Sequence, residues 1–173
     1  MFAHDIKIAG IAIPFDAAHQ ITQTYEPLGG RALLRMLSGA AVLQNNWNKV
    51  RTVIRGSGRY PDQLAGVDWS TSFSIDCAAP LGIHGSSNVI TLPAARRSDW
   101  APWGMALVDG RLVNTPMTIA TNTATLTAVA GATSYVAYYF PTLTCYAVSA
   151  GPSRSFDGRV SGNAGWELIA EEA

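Results

Sequence analysis

Alternation of polar and apolar residues over short segments is the feature that most constrains the fold of this chain. Residues 5–8 alternate strictly, Gly10 interrupts the pattern, and residues 11–14 resume it. A period of two places successive side chains on opposite faces of a strand, whereas an amphipathic helix needs apolar residues three or four positions apart. No segment has the pattern of a long amphipathic helix. The chain is therefore predicted to consist mainly of β-strands that bury one face.

Turn-forming residues divide the region that follows. Residues 19–27 are rich in β-branched and aromatic side chains, and we predict a strand that ends in a turn at Gly29 and Gly30. Residues 31–37 contain leucine and arginine, which suit one or two turns of an amphipathic helix as well as a short strand. Both structures stay open for this segment.

A hairpin is predicted around the dipeptide Asn45-Asn46. Asparagine adopts positive φ more readily than most residues, and residues 40–44 and 49–55 on either side have strand character. The second of these strands is predicted to end at residues 56–58, where the sequence is Gly-Ser-Gly.

Short strands separated by turns continue through the second half of the chain. Between residues 105 and 140 the sequence is rich in Ala, Thr, Asn and Val, and turns are predicted at Asp109-Gly110 and at Gly131. A final strand at residues 166–170 is expected to return to the first sheet.

These patterns predict an all-β fold, an antiparallel β-sandwich or barrel with a small β-rich insertion. Residues 1–92 plus 142–173 are predicted to form the main β domain. Residues 93–141 are predicted to form the inserted subdomain.

The charge content is low and balanced. Twelve basic residues oppose twelve acidic ones, and charged residues make up 14% of the chain, against roughly 25% in ordinary soluble domains. Balanced charge and scattered arginines do not provide the basic surface that nucleic-acid binding requires, so no nucleic-acid partner is expected. Strand edges with little charge are open to pairing with other chains. The composition therefore predicts a homo-oligomer whose neighbouring subunits cover part of the surface.

The expected compartment follows from the start of the sequence and from its cysteines. The first ten residues include Asp5 and Lys7 and contain no long apolar run, so we expect neither a secretory signal nor a membrane span. The protein is expected to be made and assembled in a cytosol. Cys77 and Cys145 are accordingly predicted to be buried, reduced thiols.

Residues capable of catalysis or metal binding do not form a recognised pattern. None of His4, His19 and His84 lies at metal-ligand spacing from another histidine. His84 and Ser86 share a glycine-containing loop, but the strand, turn and helix that present a nucleophilic serine are missing. We therefore predict no enzymatic activity, no metal and no cofactor.

Two further chemical patterns fail for similar reasons. Residues 56–59 lack the Lys-Ser/Thr and the following helix of a phosphate-binding loop. Glu171 and Glu172 are the close pair of carboxylates, and they are expected to be solvated rather than arranged for glycoside hydrolysis.

The tryptophans are the richest binding feature of the sequence. Two of the five, Trp100 and Trp103, share one predicted loop and are the candidate interface residues. Exposed aromatic rings rimmed by polar groups mark surfaces that bind carbohydrate or protein. The same rings would also serve to pack the main domain against the insertion. Both interpretations stay open.

A succession of turn and packing motifs runs through residues 24–83. Its members are TYEPLGG at 24–30, LRMLSG at 34–39, Gln44, Trp47, residues 51–58 ending in Gly-Ser-Gly, and LAGVDW at 64–69. This succession, with the ending GWELIAEE at 165–172, resembles small virion proteins encoded in the tail gene clusters of long-tailed bacteriophages. Together the motifs cover about half of the chain, and residues 85–141 match weakly.

The resemblance implies a minor tail or distal-tail (baseplate) protein, a β-rich ring-forming subunit located where the tail tube meets the tail tip. The implied partners are other tail proteins, namely the tail tube, the tail tip or hub, and fibres. The implied location is the virion tail, assembled in the host cytoplasm, with no membrane partner. The motifs have no catalytic content and imply no binding residues.

Two other function classes stay open beside the tail subunit. One is a capsid decoration or carbohydrate-binding module of a virion that uses the Trp100 and Trp103 loop. The other is a small hydrolase that uses His84 and Ser86.

Overall fold

The structure is a computed structural model that describes residues 6–156 and 164–173. It is nearly all β, with 61% of residues in strands and 5% in helices, and its several antiparallel sheets are consistent with a sandwich-like fold. The predicted all-β class is therefore confirmed. His4 and Asp5 lie outside the described residues.

The described residues contain short and long strands and two short 3-10 helical turns, Phe15–Ala17 and Asp62–Gly66. The strands are β1 Lys7–Ile8, β2 Ile11–Ala12, β3 His19–Arg35, β4 Ala41–Gly58, β5 Phe73–Asp76, β6 Leu81–Gly85, β7 Val89–Thr91, β8 Trp103–Val108, β9 Arg111–Thr115, β10 Met117–Ala120, β11 Thr123–Leu126, β12 Ala132–Tyr139, β13 Thr142–Ala147, β14 Ser153–Phe156 and β15 Ala164–Glu172.

The chain divides into two compact units. The first comprises Met1–Ser74 and Thr144–Ala173, and the second comprises Ile75–Leu143. The predicted insertion, residues 93–141, lies within the second unit. That unit begins earlier than the predicted insertion because β6 pairs with β12 and β7 pairs with β11.

The first unit is built around a sheet of order β2-β1-β5-β13-β15-β4-β3, with β14 also pairing with β15. Along β15, Trp166, Leu168 and Ala170 are buried, while the residues between them are partly exposed. The period-two pattern therefore has the predicted physical meaning here, with one covered face and one open face.

The tryptophan of β15 explains Gly56, near the end of β4. The Trp166 Nε1–H donates a hydrogen bond of 2.7 Å to the Ala17 carbonyl. A Cβ added to Gly56 would lie 2.5 Å from Trp166 Nε1, so only glycine fits beside the buried indole. The predicted end of this strand at the Gly-Ser-Gly sequence is confirmed, since β4 ends at Gly58.

The second unit contains a four-stranded sheet of order β6-β12-β8-β9 and a three-stranded sheet of order β10-β11-β7. Residues from both sheets form one apolar core: Ile90, Leu92, Ala106, Ala124, Leu126, Tyr135, Ala137 and Tyr139. The predicted turn at Asp109-Gly110 is confirmed, with φ of 48° and 76°, and it joins β8 to β9.

The structure corrects the two turns predicted between residues 19 and 58. Strand β3 continues through Gly29 and Gly30, and β4 continues through Asn45-Asn46, so neither dipeptide forms a turn. The chain reverses instead around Gly39, whose φ is 81°. Residues 31–35, for which helix and strand stayed open, are strand.

Hydrogen bonds explain the position of this reversal. The Met36 amide donates to the Ala40 carbonyl at 3.0 Å, and the Gly39 amide donates to the Met36 carbonyl at 2.8 Å. Positive φ at the turn favours glycine over asparagine. The Gly-Gly dipeptide is used differently, because the pairing of β3 with β4 shifts register between Gly29 and Arg31 and so forms a β-bulge.

Candidate assembly surface

A long two-stranded arm, defined as residues 29–48, extends from the sheet of the first unit. Strands β3 and β4 pair with each other from His19–Ser57 out to Arg35–Ala41. Strand β15 pairs with β4 only along its final part, from Arg51 to Gly58. In the part of the chain that the structure describes, no third strand pairs with either edge of the arm. The arm is therefore a bare β-hairpin, a structure that is marginally stable in water by itself.

The arm exposes large apolar side chains. Leu33 and Leu43 each expose 62% of their surface, and Leu37 at the tip is fully exposed. The complete set of exposed large apolar residues in the arm is Leu33, Leu34, Met36, Leu37, Val42, Leu43 and Trp47. Soluble monomers rarely present contiguous apolar patches above a few hundred Å². A set of this size is typical of a surface that another molecule covers.

The apolar residues occupy both faces of the arm. Leu33 pairs with Leu43 across the strands, and Leu34 pairs with Val42. Because adjacent residues of a strand point to opposite faces, these two pairs lie on opposite sides of the hairpin. A hairpin with one covered face would place polar residues on the other. Neither face of the arm follows that rule.

The arm carries positive charge without acidic residues. Arg31 and Arg35 are the charged residues between Pro27 and Asn48. They stand two positions before and after Leu33, so all three side chains share one face. The Arg35 guanidinium donates to the Gly39 carbonyl at 3.2 Å, close to the turn.

The base of the arm is fastened to the last strand. The Lys49 ammonium donates to the Ala173 carbonyl, and the Val50 amide donates to Glu172 Oε2 at 3.1 Å. Arg51 donates to Glu171 Oε1 through Nε at 3.0 Å and through Nη2 at 2.7 Å. Glu171 and Glu172 are therefore engaged by β4 and stay partly exposed. The arm begins where this support ends.

Trp47 covers the bulge at the start of the arm. A Cβ added to Gly30 would lie 2.4 Å from Trp47 Nε1 and 2.8 Å from its Cδ1. The indole therefore lies directly against the glycine backbone, although Trp47 stays 49% exposed. A side chain at this position would push the Trp47 indole out of its place, which favours glycine here.

Trp100 and Trp103 lie in an aromatic cluster within the second unit. The Trp100 ring meets Phe140 edge-on with centroids 4.4 Å apart. Trp103 stacks on Tyr138 at 5.1 Å and lies 5.5 Å from Phe140. Both indoles are half-buried by residues of their own unit. These ring contacts favour a packing role, and the remaining exposed part of each ring keeps the carbohydrate interpretation testable.

Arg97 positions Trp100 within this cluster. Its guanidinium carbon lies 4.2 Å from the centroid of the Trp100 ring. The side chain is fully buried, donates to both carboxylate oxygens of Asp99 at 2.9 and 2.7 Å, and donates to the Cys77 carbonyl at 3.2 Å. A buried guanidinium with these partners is held in one orientation, and it fixes the adjacent ring.

The residues considered for catalysis lie at the ends of strands. His84 and Ser86 are exposed at the end of β6, and His19 lies at the start of β3 with its ring 5.0 Å from Phe15. Among residues 6–156 and 164–173, no three His, Cys, Asp or Glu side chains group as metal ligands would. In the same residues, no helix has the length and apolar character needed to cross a bilayer.

The cysteines and one surface turn complete the description of the reactive groups. Cys77 and Cys145 are buried thiols that form no disulfide with each other, as the sequence predicted. In an exposed turn of the first unit, the hydroxyl and the amide of Ser70 both donate to Asp68. These hydrogen bonds lower the pKa of the Asp68 carboxyl, and the bond from the hydroxyl is the larger cause.

Comparisons of the chain with protein-family models, with curated proteins and with solved structures gave no match. The arm and the aromatic cluster are therefore the features from which a function can be inferred.

The sequence identified two residues of the aromatic cluster, Trp100 and Trp103, but not their partners Tyr138, Phe140 and Arg97, and it did not identify the arm. The sequence contains a signal for an arm that is apolar on both faces, because residues 31–43 contain leucines at adjacent positions and no acidic residue. The predicted turns at Gly29-Gly30 and Asn45-Asn46 divided that signal into short pieces.

Proposed function

We propose that this protein is a structural subunit of a bacteriophage tail, a ring-forming distal-tail or baseplate component that links the tail tube to the tail tip. The observation that carries the proposal is the arm, whose apolar side chains are exposed on both faces. A single chain leaves these faces in water, whereas an assembly of chains would bury them. The specific assignment to a phage tail rests on the resemblance of residues 24–83 and 165–172 to small tail proteins.

Closed rings suit such an arm. In a heterologous ring every subunit uses one surface toward one neighbour and a different surface toward the other. A projecting arm and a separate receiving surface on the same chain meet this requirement. The partners in this proposal are further copies of the chain and other tail proteins, and the location is the virion tail.

The test is the size of the purified protein and its presence in virions. Size-exclusion chromatography with light scattering should find an oligomer, and the oligomer should be lost when residues 32–42 are replaced by a short Gly-containing turn. Antibody labelling of virions should place the chain at the junction of tube and tip. A chain that is monomeric and absent from virions would overturn the proposal.

A further inference from the structure

The open face of the first unit's sheet carries its own pattern. Along β15, Glu167, Ile169 and Glu171 alternate with the buried residues and therefore share the partly exposed face. Tyr146 pairs with Glu171 from the neighbouring strand, and the Val148 amide donates to the Ile169 carbonyl at 3.0 Å. Tyr146 and Val148 expose 50% and 55% of their surface. These five residues define the receiving strip, an apolar centre between two glutamates.

The arm and the receiving strip match in spacing. Arg31, Leu33 and Arg35 form a charged, apolar, charged sequence at every second position of β3. The residues of β15 in the strip form the same sequence with opposite charge. At about 3.3 Å per residue, the two charges in each set lie roughly 13 Å apart. Each arginine of an arm laid along the strip would therefore reach one glutamate while leucine meets isoleucine.

The carboxylates of the strip retain an oxygen for a second donor. Arg51 directs both of its hydrogen bonds to Glu171 Oε1, and Arg55 donates to Glu167 Oε2. A carboxylate accepts through both of its oxygens, so Glu171 Oε2 and Glu167 Oε1 can each take a further guanidinium.

Charge enters through individual pairs, because the open face around the strip is balanced overall. It holds Glu26, Glu167 and Glu171 against Lys49, Arg51 and Arg55. The arm has two arginines and no acid. Pairing of each arm arginine with one glutamate of the strip would add to the burial of apolar surface.

The arm of a chain cannot reach the strip of the same chain. Leu33 pairs with Leu43, and Ile169 pairs with Val53. Ten residues of the extended strand β4 separate Leu43 from Val53, which is about 30 Å. The strip that receives an arm must belong to another copy.

We propose that the Arg31, Leu33 and Arg35 face of one arm docks on the receiving strip of a second copy of this chain. This interface rests on the proposed function, since it gives each ring subunit one arm to donate and one strip to receive. It also explains why the arm is apolar around its arginines and why it contains no carboxylate.

The test is a cross-link between two differently tagged copies. Leu33→Cys in one copy and Val148→Cys in the other should be joined by a short bismaleimide, because both positions are exposed and would lie together in the interface. The native thiols Cys77 and Cys145 are buried and should react slowly. Leu112→Cys, on an exposed position of the second unit, is the matched control and should give no product with Leu33→Cys.

Charge reversal provides a second readout. Arg31→Glu with Arg35→Glu should raise the dissociation constant of the oligomer roughly 100-fold or more, because like charges would face each other across the interface. Arg111→Glu, an exposed arginine of β9, changes charge outside the arm and should leave the constant unchanged.

Failure of the interface and failure of the proposed function give different results. An oligomer in which Leu33→Cys joins only a second Leu33→Cys, or joins the control position, would overturn the docking and leave the ring proposal in place. The same holds if the arm cross-links only to a different virion protein. A monomer that enters no virion would overturn both.

Discussion

The two halves of the β3–β4 hairpin form a natural comparison, because they are the same two strands in different surroundings. The inner half contains residues 51–58 of β4 and is flanked by β15. Its alternate residues Thr52 and Ile54 are fully buried. The other half, the arm, has no third described strand beside it and exposes Leu33 and Leu43. Both halves have the same backbone pairing. They differ in what covers their side chains.

This difference shows that backbone pairing and side-chain burial contribute separately to the stability of the hairpin. In the inner half, the Gln23 amide donates to Thr52 Oγ1 at 3.1 Å, and this hydroxyl donates to the Thr24 carbonyl at 3.2 Å, so even a buried polar residue is satisfied. The arm buries little and gains little within one chain. The loss of unfolding free energy caused by a substitution should therefore increase with the burial of the side chain within one chain.

The largest expected effect is at the buried indole beside the inner half. Trp166→Ala should lower the free energy of unfolding by roughly 3 to 5 kcal/mol, because it removes a buried ring and its hydrogen bond to Ala17. Trp166→Phe is the matched control and should cost less, since it keeps an aromatic ring and loses the hydrogen bond. Urea denaturation measures both. An alanine variant as stable as the native protein would break the comparison.

A smaller effect is expected where coverage is partial. Trp100→Ala and Trp103→Ala should each lower the free energy of unfolding by about 2 kcal/mol, below the range for fully buried aromatic rings, because both indoles are partly exposed. Thermal unfolding of the variants, with glycan arrays of the native protein and of the variants, separates packing from sugar binding. Unchanged melting together with loss of saccharide binding would favour the carbohydrate-binding alternative.

In the arm, stability and association should separate. Leu33→Thr with Leu43→Thr should change the free energy of unfolding of the monomer by no more than about 0.5 kcal/mol, since exposed positions contribute little and threonine suits a strand. The same double substitution should abolish the oligomer in light scattering. A large loss of stability would mean that the arm is covered within one chain.

The smallest effect is expected at Asp68. A carboxyl whose pKa is lower in the folded than in the unfolded state stabilises the fold above its ordinary pKa, and this contribution is lost as the pH falls through the acidic range. Ser70→Ala should raise the pKa of Asp68 toward its ordinary value, because the largest cause of the shift is the Ser70 hydroxyl. An NMR titration measures this change. An unaltered titration would exclude the hydrogen bond as its cause.

Much of the local structure could be predicted from the sequence. Residues 166–170 were predicted as a final strand and lie in β15, Asp109-Gly110 identified a turn, and the Gly-Ser-Gly sequence at residues 56–58 identified the end of β4. Each of these follows from side-chain period or from the φ that a residue tolerates, which are properties of a few neighbouring residues.

The position of the long hairpin could not be predicted in the same way. Gly29-Gly30, Gly39 and Asn45-Asn46 are three plausible turns within one stretch of chain, and only the pairing of β3 with β4 over their full length selects Gly39. The other glycines then become a bulge that Trp47 covers. Local preference ranks turns, and cross-strand contact decides among them.

The sequence by itself determined that this protein is built of strands with open edges and little charge. Only the tertiary structure decided which apolar residues the chain covers and which it leaves exposed. Leu33 and Leu168 are the same residue type in strands of the same sheet, yet one is exposed and the other is fully buried. The reason is that burial depends on which distant strand lies alongside, and β15 extends beside β4 only as far as Arg51.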